Sequence, residues 1–184
     1  MSRSERLRLF VAVYPEAEVA ERSAAALHAL PLPEHRPTPH EQIHLTVLFI
    51  GAVDARHLGE ITESAHRSAS GLPAFTLTPQ RLITLPERGP ARLIALETDA
   101  PAPLLEFRSR LVRRLAHRTR ARSNDRFRPH FTLTRFNAPT PGIRLNEPIE
   151  LPTMRISETH LMASTLHPSG TVHRSIERIE FAAQ

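Results

Sequence analysis

Short apolar segments separated by proline-rich connections make up most of this chain, and their lengths predict more strands than helices. Runs rich in apolar and β-branched residues, bounded by Pro, Gly or polar clusters, are typical of strands in a half-buried sheet. By this criterion we expect strands at about residues 7–13, 43–50, 75–85, 92–98, 130–136, 154–164 and 172–181. Gly51 is expected to end the second of these strands.

Three other segments carry the apolar spacing of an amphipathic helix. The first begins at Pro15 and extends to about Leu30, with acidic residues close to its N-terminus. The second follows Asp54, whose side chain can cap it, and the third covers about residues 103–118. Many of the predicted strands are joined by connections too short for a parallel crossover. The pattern therefore predicts an α+β fold with antiparallel sheets.

Composition excludes several kinds of chemistry. The 184 residues include no Cys, and each of the 24 basic residues is Arg, so the chain also has no Lys. Without Cys there are no disulfides, no Cys-ligated zinc or iron–sulfur clusters and no thiol nucleophiles. Without Lys there is neither a P-loop lysine nor a lysine Schiff base. We therefore expect a protein that uses no cofactor.

The formal net charge of +5 favours anionic partners such as nucleic acid or phosphate esters. A codon bias toward Arg explains the excess equally well. The nine arginines between residues 108 and 128 are expected to form a solvated helix face, with a track for an RNA backbone as the alternative. No apolar run is long enough to span a membrane, and the N-terminus does not have the form of a signal peptide. We expect a cytoplasmic protein.

One tetrapeptide pattern occurs in two of the predicted strands. Residues 44–47 read His-Leu-Thr-Val and residues 130–133 read His-Phe-Thr-Leu, about half a chain length apart. His-x-Thr alone is expected by chance about once in a chain of this composition. A third match at residues 117–120 has Arg at both other positions and falls at a predicted helix end, so we assign it to chance.

The alternation of side chains along a strand explains this spacing. Leu45 would point into the core while His44 and Thr46 point to the other face together, and the second copy would do the same with His130 and Thr132. Two such strands across a cleft would hold a phosphate between two imidazoles and two hydroxyls. One neutral imidazole could then take a proton from water while the protonated one gives a proton to a leaving oxygen. No metal is required for this chemistry.

The paired motifs, with the apolar opening at residues 8–13, the Phe-Arg-Pro-His string at 127–130 and the Ser164-to-Gly170 turn, resemble the 2H phosphoesterases. The resemblance is to their bacterial RNA 2′,3′-cyclic phosphodiesterases, also called 2′-5′ RNA ligases. It implies a bilobed fold in which two pseudo-symmetric antiparallel sheets, with helices outside, enclose a central cleft. It also implies one domain over residues 1–184, made of two interleaved lobes.

The resemblance further implies hydrolysis of terminal 2′,3′-cyclic phosphates of RNA or nucleotides to 2′-phosphates. We expect the protein to be a monomer. His44 would be the proton donor to the leaving 3′ oxygen and His130 the acceptor from water. Thr46, Thr132 and Arg135 would hold the phosphate, with Arg128 as a further candidate. Strict alternation places Arg135 on the face opposite His130, so its role requires a bulge, a twist or a strand end.

Two other functions remain open from the sequence. An ATP-independent 2′-5′ RNA ligase would run the same chemistry backwards at the same site, and a non-catalytic RNA-binding module would keep the scaffold without turnover. The chain departs from the family at Leu48, where basic residues are common, and at His173, where Tyr is frequent. It also has no Trp, which leaves Phe10 and Phe49 as candidates for stacking on a base.

Overall fold

A computed structural model gives the structure of residues 6–119, 121, 126–167 and 170–183. These residues form eleven strands and three α-helices. The helices are α1 (Ala17–His28), α2 (Leu58–Ala69) and α3 (Ala102–Arg114). The strands are β1 (Arg6–Val13), β2 (His35–Pro37), β3 (Leu45–Asp54), β4 (Phe75–Leu77), β5 (Pro79–Leu85), β6 (Ala91–Thr98), β7 (His130–Thr140), β8 (Asn146–Pro148), β9 (Met154–Ile156), β10 (Glu158–His167) and β11 (Gly170–Glu180).

Nine of these strands form one sheet. Eight follow the order β11-β10-β1-β3-β7-β6-β5-β8, and the ninth, β2, is a third neighbour of β7. All strand pairs in it are antiparallel. The sheet has two halves that meet between β3 and β7, where the only registered pair is Leu45 with Phe131. We call this junction the seam. The α+β prediction with two antiparallel sheets is confirmed, the two sheets being halves joined at the seam.

The two copies of the repeated tetrapeptide lie side by side at the seam. Because β3 and β7 are antiparallel and Leu45 faces Phe131, continuing this register puts His44 opposite Thr132 and Thr46 opposite His130. Leu45 and Phe131 are fully buried, as the alternation predicted. An approximate twofold axis through the Leu45–Phe131 pair therefore relates the two motifs.

Both motifs end in a β-bulge at the same position. Thr46 and Leu48 face consecutive residues of β1, so Val47 is the extra residue. In the same way Thr132 and Thr134 face consecutive residues of β6, so Leu133 is extra. A bulge changes which face the following residues occupy. Leu48 and Thr134 consequently lie buried on the core side of the sheet, and the residue after each of them returns to the other side.

The helices cover the core side of the sheet. In α3 the predicted apolar stripe of Leu104, Phe107, Leu111 and Leu115 is buried against the strand residues of that face. Asp54 accepts a hydrogen bond from the Arg56 main-chain N–H, and so caps the 3-10 turn that leads into α2. Among the described residues, no α-helix contributes to the cavity that opens on the opposite side of the sheet at the seam. No helix in the described residues is long and apolar enough to cross a membrane.

Three details differ from the expectations. Each of two predicted long strands is divided, because β4 and β9 leave the main sheet and pair with each other. The strand that Gly51 was expected to end continues to Asp54, because Gly51 adopts φ +100° at a second bulge in β3. Strand β2 lies within the proline-rich connection that was predicted to be a loop, because it pairs with β7.

Candidate functional site

A cavity of about 590 Å³ opens over the seam. It brings together five of the six site residues expected from the sequence, and they are His44, Thr46, His130, Thr132 and Arg135. The sheet positions them directly, because each His-Thr pair comes from one face of one strand and the two strands meet at Leu45 and Phe131.

The two imidazoles are oriented in the same way. Nδ1 of His44 lies 2.7 Å from the carbonyl oxygen of Gln42, and Nδ1 of His130 lies 2.8 Å from that of Arg128. A carbonyl oxygen only accepts hydrogen bonds, so Nδ1 carries the proton in both rings. Nε2 is therefore the nitrogen of each ring that can exchange a proton with a molecule in the cavity.

Aromatic rings surround His44. The centroid of its ring lies 4.9 Å from that of His173, 5.0 Å from Phe10 and 5.9 Å from Tyr14. Burial among these rings lowers the pKa of His44 to about 4, and the positive charges of nearby His173, Arg135 and His130 act in the same direction. The hydrogen bond to the Gln42 carbonyl opposes this effect only in part. His44 is therefore neutral in the free protein at pH 7.

His130 has a different neighbour. Its partner across the β6–β7 pair is Glu97, which is largely buried and forms ion pairs with Arg128 and, at 3.5 Å, with Arg81. Burial lowers the pKa of His130, and the charges of Arg128 and Arg135 lower it further. The Glu97 carboxylate raises it, because a negative charge favours the imidazolium. The two halves of the site are thus similar in geometry and different in electrostatics.

Arg135 reaches the cavity because of the bulge at Leu133. The bulge places Arg135 opposite Leu93 of β6, and both side chains line the cavity. The conflict between strict alternation and a role for Arg135 is resolved in this way. At the equivalent position of the first motif stands Phe49, which is 49% exposed and has the Arg8 guanidinium 5.7 Å from its ring.

The Arg128 side chain does not line this cavity. Its guanidinium forms short ion pairs with Glu97 and Glu87 and borders a separate cavity of about 480 Å³. The expected contact between Arg128 and phosphate is therefore not supported by its position, because two carboxylates already hold it. Arg128 contributes to the site through its main-chain carbonyl, which orients His130.

Two further cavity residues come from outside the repeated motif. Arg36 of β2 faces Arg135 directly, and nothing in the sequence marks it, because it lies in a proline-rich connection. His173 of β11 packs against His44 and Phe10, and its buried Nδ1 has no hydrogen-bond partner in the described part of the chain. The family resemblance identified the region of His173, whereas only the pairing of β2 with β7 reveals Arg36.

The third His-x-Thr copy lies away from the cavity. Arg118 pairs with Glu60 at 2.7 Å, and the Thr119 hydroxyl donates to the Phe49 carbonyl oxygen at 2.9 Å. These are packing contacts, as the assignment to chance requires. The basic stretch around it forms ion pairs as well, including Arg110 with Glu106 at 2.7 Å. This pairing favours a solvated face over an RNA track, and residues 120 and 122–125 of the stretch lie outside the described residues.

The arrangement is suited to proton transfer around a bound anion. Two Nε2 atoms, two hydroxyls and a guanidinium converge on one cavity, and all can donate hydrogen bonds to phosphate oxygens when the imidazoles are protonated. Each imidazole can equally take up a proton when neutral. Within the described ranges, no group of three or more His, Asp or Glu side chains is arranged to hold a metal ion.

The chain is similar to proteins of one family over most of its length. The model of the 2′-5′ RNA ligase superfamily matches residues 15–166. The chain is 25% identical to the RNA 2′,3′-cyclic phosphodiesterase of Thermotoga maritima, over 95% of this chain and 96% of that protein. It is 28% identical to the protein of the same name from Thermus thermophilus, over 97% and 92%. The crystal structure of E. coli LigT complexed with 3′-AMP superposes with a TM-score of 0.81 at 25% identity, covering 97% of this chain and 99% of that one.

Proposed function

The chain belongs to the 2′-5′ RNA ligase superfamily, and we propose that it is an RNA 2′,3′-cyclic phosphodiesterase whose reaction takes place between His44 and His130. The observation that carries this proposal is that two His-Thr pairs line one cavity, with Nδ1 of each imidazole bound to a main-chain carbonyl so that Nε2 is the nitrogen available for proton transfer. A terminal cyclic phosphate presents one phosphorus centre with a water on one side and the leaving oxygen on the other. Two proton-transfer groups facing each other match that requirement.

The proposed reaction is a single displacement at phosphorus. Nε2 of His130 takes a proton from water as its oxygen attacks the phosphorus, and the bond from phosphorus to the 3′ oxygen breaks. Nε2–H of His44 donates its proton to that oxygen, which leaves as the 3′-hydroxyl. The product is a 2′-phosphate, and the two imidazoles exchange protonation states before the next cycle.

The electrostatic difference between the two halves supports this division of roles. Glu97 faces His130, and its negative charge offsets part of the burial and arginine effects that lower the pKa of His130. His44 lies among aromatic rings without a facing carboxylate, so its imidazolium is the stronger acid and gives up its proton more readily. A base next to a carboxylate and an acid in an apolar pocket is a common way to separate two such roles.

Substrate binding has to raise the pKa of His44, so that the ring carries the proton that it donates. The pKa of His44 is about 4 in the free protein, so at pH 7 this ring is neutral. A bound phosphodiester places a negative charge next to the ring and raises its pKa, because an opposite charge favours the protonated form. Thr46, Thr132 and Arg135 would hold the non-bridging oxygens and stabilise the charge that accumulates on them.

The test is incubation of the protein with each of the four nucleoside 2′,3′-cyclic monophosphates, with the product position determined by phosphorus NMR. We expect 2′-phosphates, formed at the same rate when a chelator is present. His44→Ala and His130→Ala should each lower kcat by orders of magnitude while circular dichroism and thermal unfolding stay close to those of the unmodified protein. Near-normal turnover in either folded variant would remove the proposed acid–base pair.

Ligation is the second candidate, favoured by the match to the 2′-5′ RNA ligase superfamily. By microscopic reversibility the same residues would join a cyclic phosphate to a 5′-hydroxyl. Product analysis with excess 5′-hydroxyl RNA separates the two outcomes. We further propose that the enzyme is a cytoplasmic monomer. We also propose that its two lobes form one domain, since residues from both halves of the sheet line one cavity.

A further inference from the structure

Two arginines face each other at one end of the cavity. Arg36 of β2 and Arg135 of β7 are direct cross-strand partners, and both line the cavity that contains His44 and His130. Directly opposed side chains on one face of an antiparallel pair are close neighbours, and like charges at such positions repel each other. This arrangement destabilises the free protein unless an anion lies between or beside the two guanidinium groups.

Neither arginine has a carboxylate partner in the described part of the chain. Several arginines elsewhere do have one, as in the pairs of Arg22 with Glu18, Arg67 with Glu63 and Arg118 with Glu60. Both Arg36 and Arg135 are exposed to the cavity, so their charge is available to a ligand. What distinguishes Arg36 and Arg135 is that two cations without a carboxylate partner among the described residues face each other in one cavity.

One phosphate does not account for both guanidinium groups. Arg135 lowers the pKa of both His44 and His130, which places its charge near the phosphate that reacts. Arg36 lies beside Arg135 and beyond the end of the seam, because β2 pairs with the edge of β7 that β3 no longer pairs with at this point. From Thr132 to Arg135 the strand advances by about 7–10 Å. That is comparable to the separation of two successive phosphates along an extended nucleic acid strand.

We propose that Arg36 and Arg135 form a second anion subsite, which binds the 5′-phosphate of the nucleotide that carries the terminal cyclic phosphate. This inference rests on the proposed function, since it assumes a cyclic phosphate between His44 and His130. In an RNA chain the 5′-phosphate is the linkage to the preceding nucleotide. Arginine suits this task because its planar fork of donors binds phosphate with two hydrogen bonds, and Arg135 can donate to both phosphates. The subsite makes an RNA end, or a 5′-phosphorylated nucleotide, a better substrate than a nucleoside cyclic monophosphate.

The experiment compares two substrates that differ only in the second phosphate. These are adenosine 2′,3′-cyclic phosphate and the same nucleotide with a 5′-phosphate. For the unmodified protein we expect kcat/KM to be about tenfold or more higher for the 5′-phosphorylated substrate, because a charge-assisted contact is gained. In Arg36→Gln the preference should fall close to one, because kcat/KM falls more for the 5′-phosphorylated substrate than for adenosine 2′,3′-cyclic phosphate.

Two further variants sharpen the comparison. Arg36→Lys should keep part of the preference, because it retains the charge and loses the paired donors. Arg114→Gln removes an exposed arginine of α3 that lies outside the cavity, and it should leave both rate constants unchanged. The salt dependence of binding gives a further test, with a short RNA that ends in a cyclic phosphate. In Arg36→Gln the plot of log binding constant against log salt concentration should be less steep, by the amount that corresponds to about one phosphate contact.

Several results would overturn the inference. One is an equal kcat/KM for the two substrates in the unmodified protein, and another is an unchanged preference in Arg36→Gln. An equal loss on both substrates in Arg36→Gln would place Arg36 at the reacting phosphate instead. In each of these cases the cyclic phosphodiesterase activity itself is still observed. If the unmodified protein hydrolyses neither substrate, the proposed function fails and the subsite fails with it.

Discussion

Each reactive imidazole is oriented by the main chain of its own strand entrance. The carbonyl two residues before each His accepts the Nδ1 proton, so the orientation of the ring depends on backbone geometry and not on a neighbouring side chain. This explains why residue types at positions 42 and 128 differ without a change in the geometry. What differs between the rings is their neighbours, which are aromatic for His44 and acidic for His130.

The low pKa of His44 predicts a pH-dependent stability. Its pKa is about 4 in the folded state against 6.5 for the unperturbed side chain, so below pH 6.5 the unfolded chain takes up this proton first. The contribution of His44 is therefore complete above pH 6.5 and lost as the pH falls toward 4. A shift of this size corresponds to at most about 3 kcal/mol.

Urea unfolding at pH 7 and pH 4.5 measures this effect. The loss of unfolding free energy between the two pH values should be smaller in His44→Gln than in the unmodified protein, because the variant has no proton to take up at this position. His28→Gln, in the exposed last turn of α1, is the matched control and should not change the difference. An unchanged pH dependence in His44→Gln would show that His44 is not destabilised by its burial.

The two threonines are expected to act on the charge of the reacting phosphate. Thr46→Val and Thr132→Val keep the shape of the side chain and remove one hydrogen-bond donor to a phosphate oxygen. Each should lower kcat/KM for a cyclic nucleotide by a factor that corresponds to about 1–3 kcal/mol. Thr134→Val provides a comparison, since that hydroxyl donates to the Arg36 carbonyl at 2.8 Å on the core side of the sheet. A Thr134→Val variant that remains folded should lose stability more than activity.

At the scale of the strands, the positions of the β-bulges determine which side chains line the cavity. The bulges at Val47 and Leu133 bury Leu48 and Thr134 and bring Arg135 to the cavity. Strand β3 has another bulge at Gly51, where the strand bends. Because of the extra residue, the His, the Thr two positions later and the residue five positions after the His all lie on the same face. Strict alternation would put the last of these on the opposite face.

Gly51 offers a test of this strand geometry. Its φ of +100° is unfavourable for any residue with a Cβ, although the nearest atom to an added Cβ, in the Phe49 ring, is 3.9 Å away. Gly51→Ala should therefore lower the free energy of unfolding by about 1–2 kcal/mol through backbone strain alone. Gly59→Ala in α2, where an added Cβ meets nothing within 4 Å, should be neutral or stabilising. Equal effects of the two substitutions in urea unfolding would contradict this account.

At the scale of the whole molecule, charge is distributed unevenly. Each helix pairs an arginine with a glutamate one turn away, namely Arg22, Arg67 and Arg110, whereas Arg36 and Arg135 in the cavity have no carboxylate partner among the described residues. The cavity therefore combines these two cations, which attract an anion, with the imidazoles of His44 and His130, which can take up a proton. Anion binding and protonation of His44 and His130 are therefore coupled.

This coupling predicts proton uptake on binding of inorganic phosphate or 3′-AMP near pH 6. Calorimetry in buffers with different ionisation enthalpies should show net uptake of a fraction of a proton or more by the protein, because the bound anion raises the pKa of the histidines. His44→Gln should take up less, whereas Arg114→Gln should not differ from the unmodified protein. Binding without any proton uptake would show that the anion lies away from both imidazoles.

The amino-acid sequence by itself determined the pairing of chemical groups, because side-chain alternation depends only on neighbouring residues. It was enough to predict that His44 and Thr46, and likewise His130 and Thr132, would share a face above a buried apolar residue, and that the fold would be α+β with antiparallel sheets. The composition and the repeat also pointed to phosphate chemistry without Lys or Cys. The one domain of interleaved lobes stays a prediction.

The tertiary structure alone decided the remaining positions, since they depend on contacts between residues distant in the chain. Arg135 faces the cavity because β6 forces a bulge in β7, and Arg36 joins it because β2 pairs there. Arg128, which adjoins the second motif, is held away by Glu87 and Glu97. Local sequence sets which face a side chain prefers, but the register between strands sets which neighbour it meets and which charge it finds there.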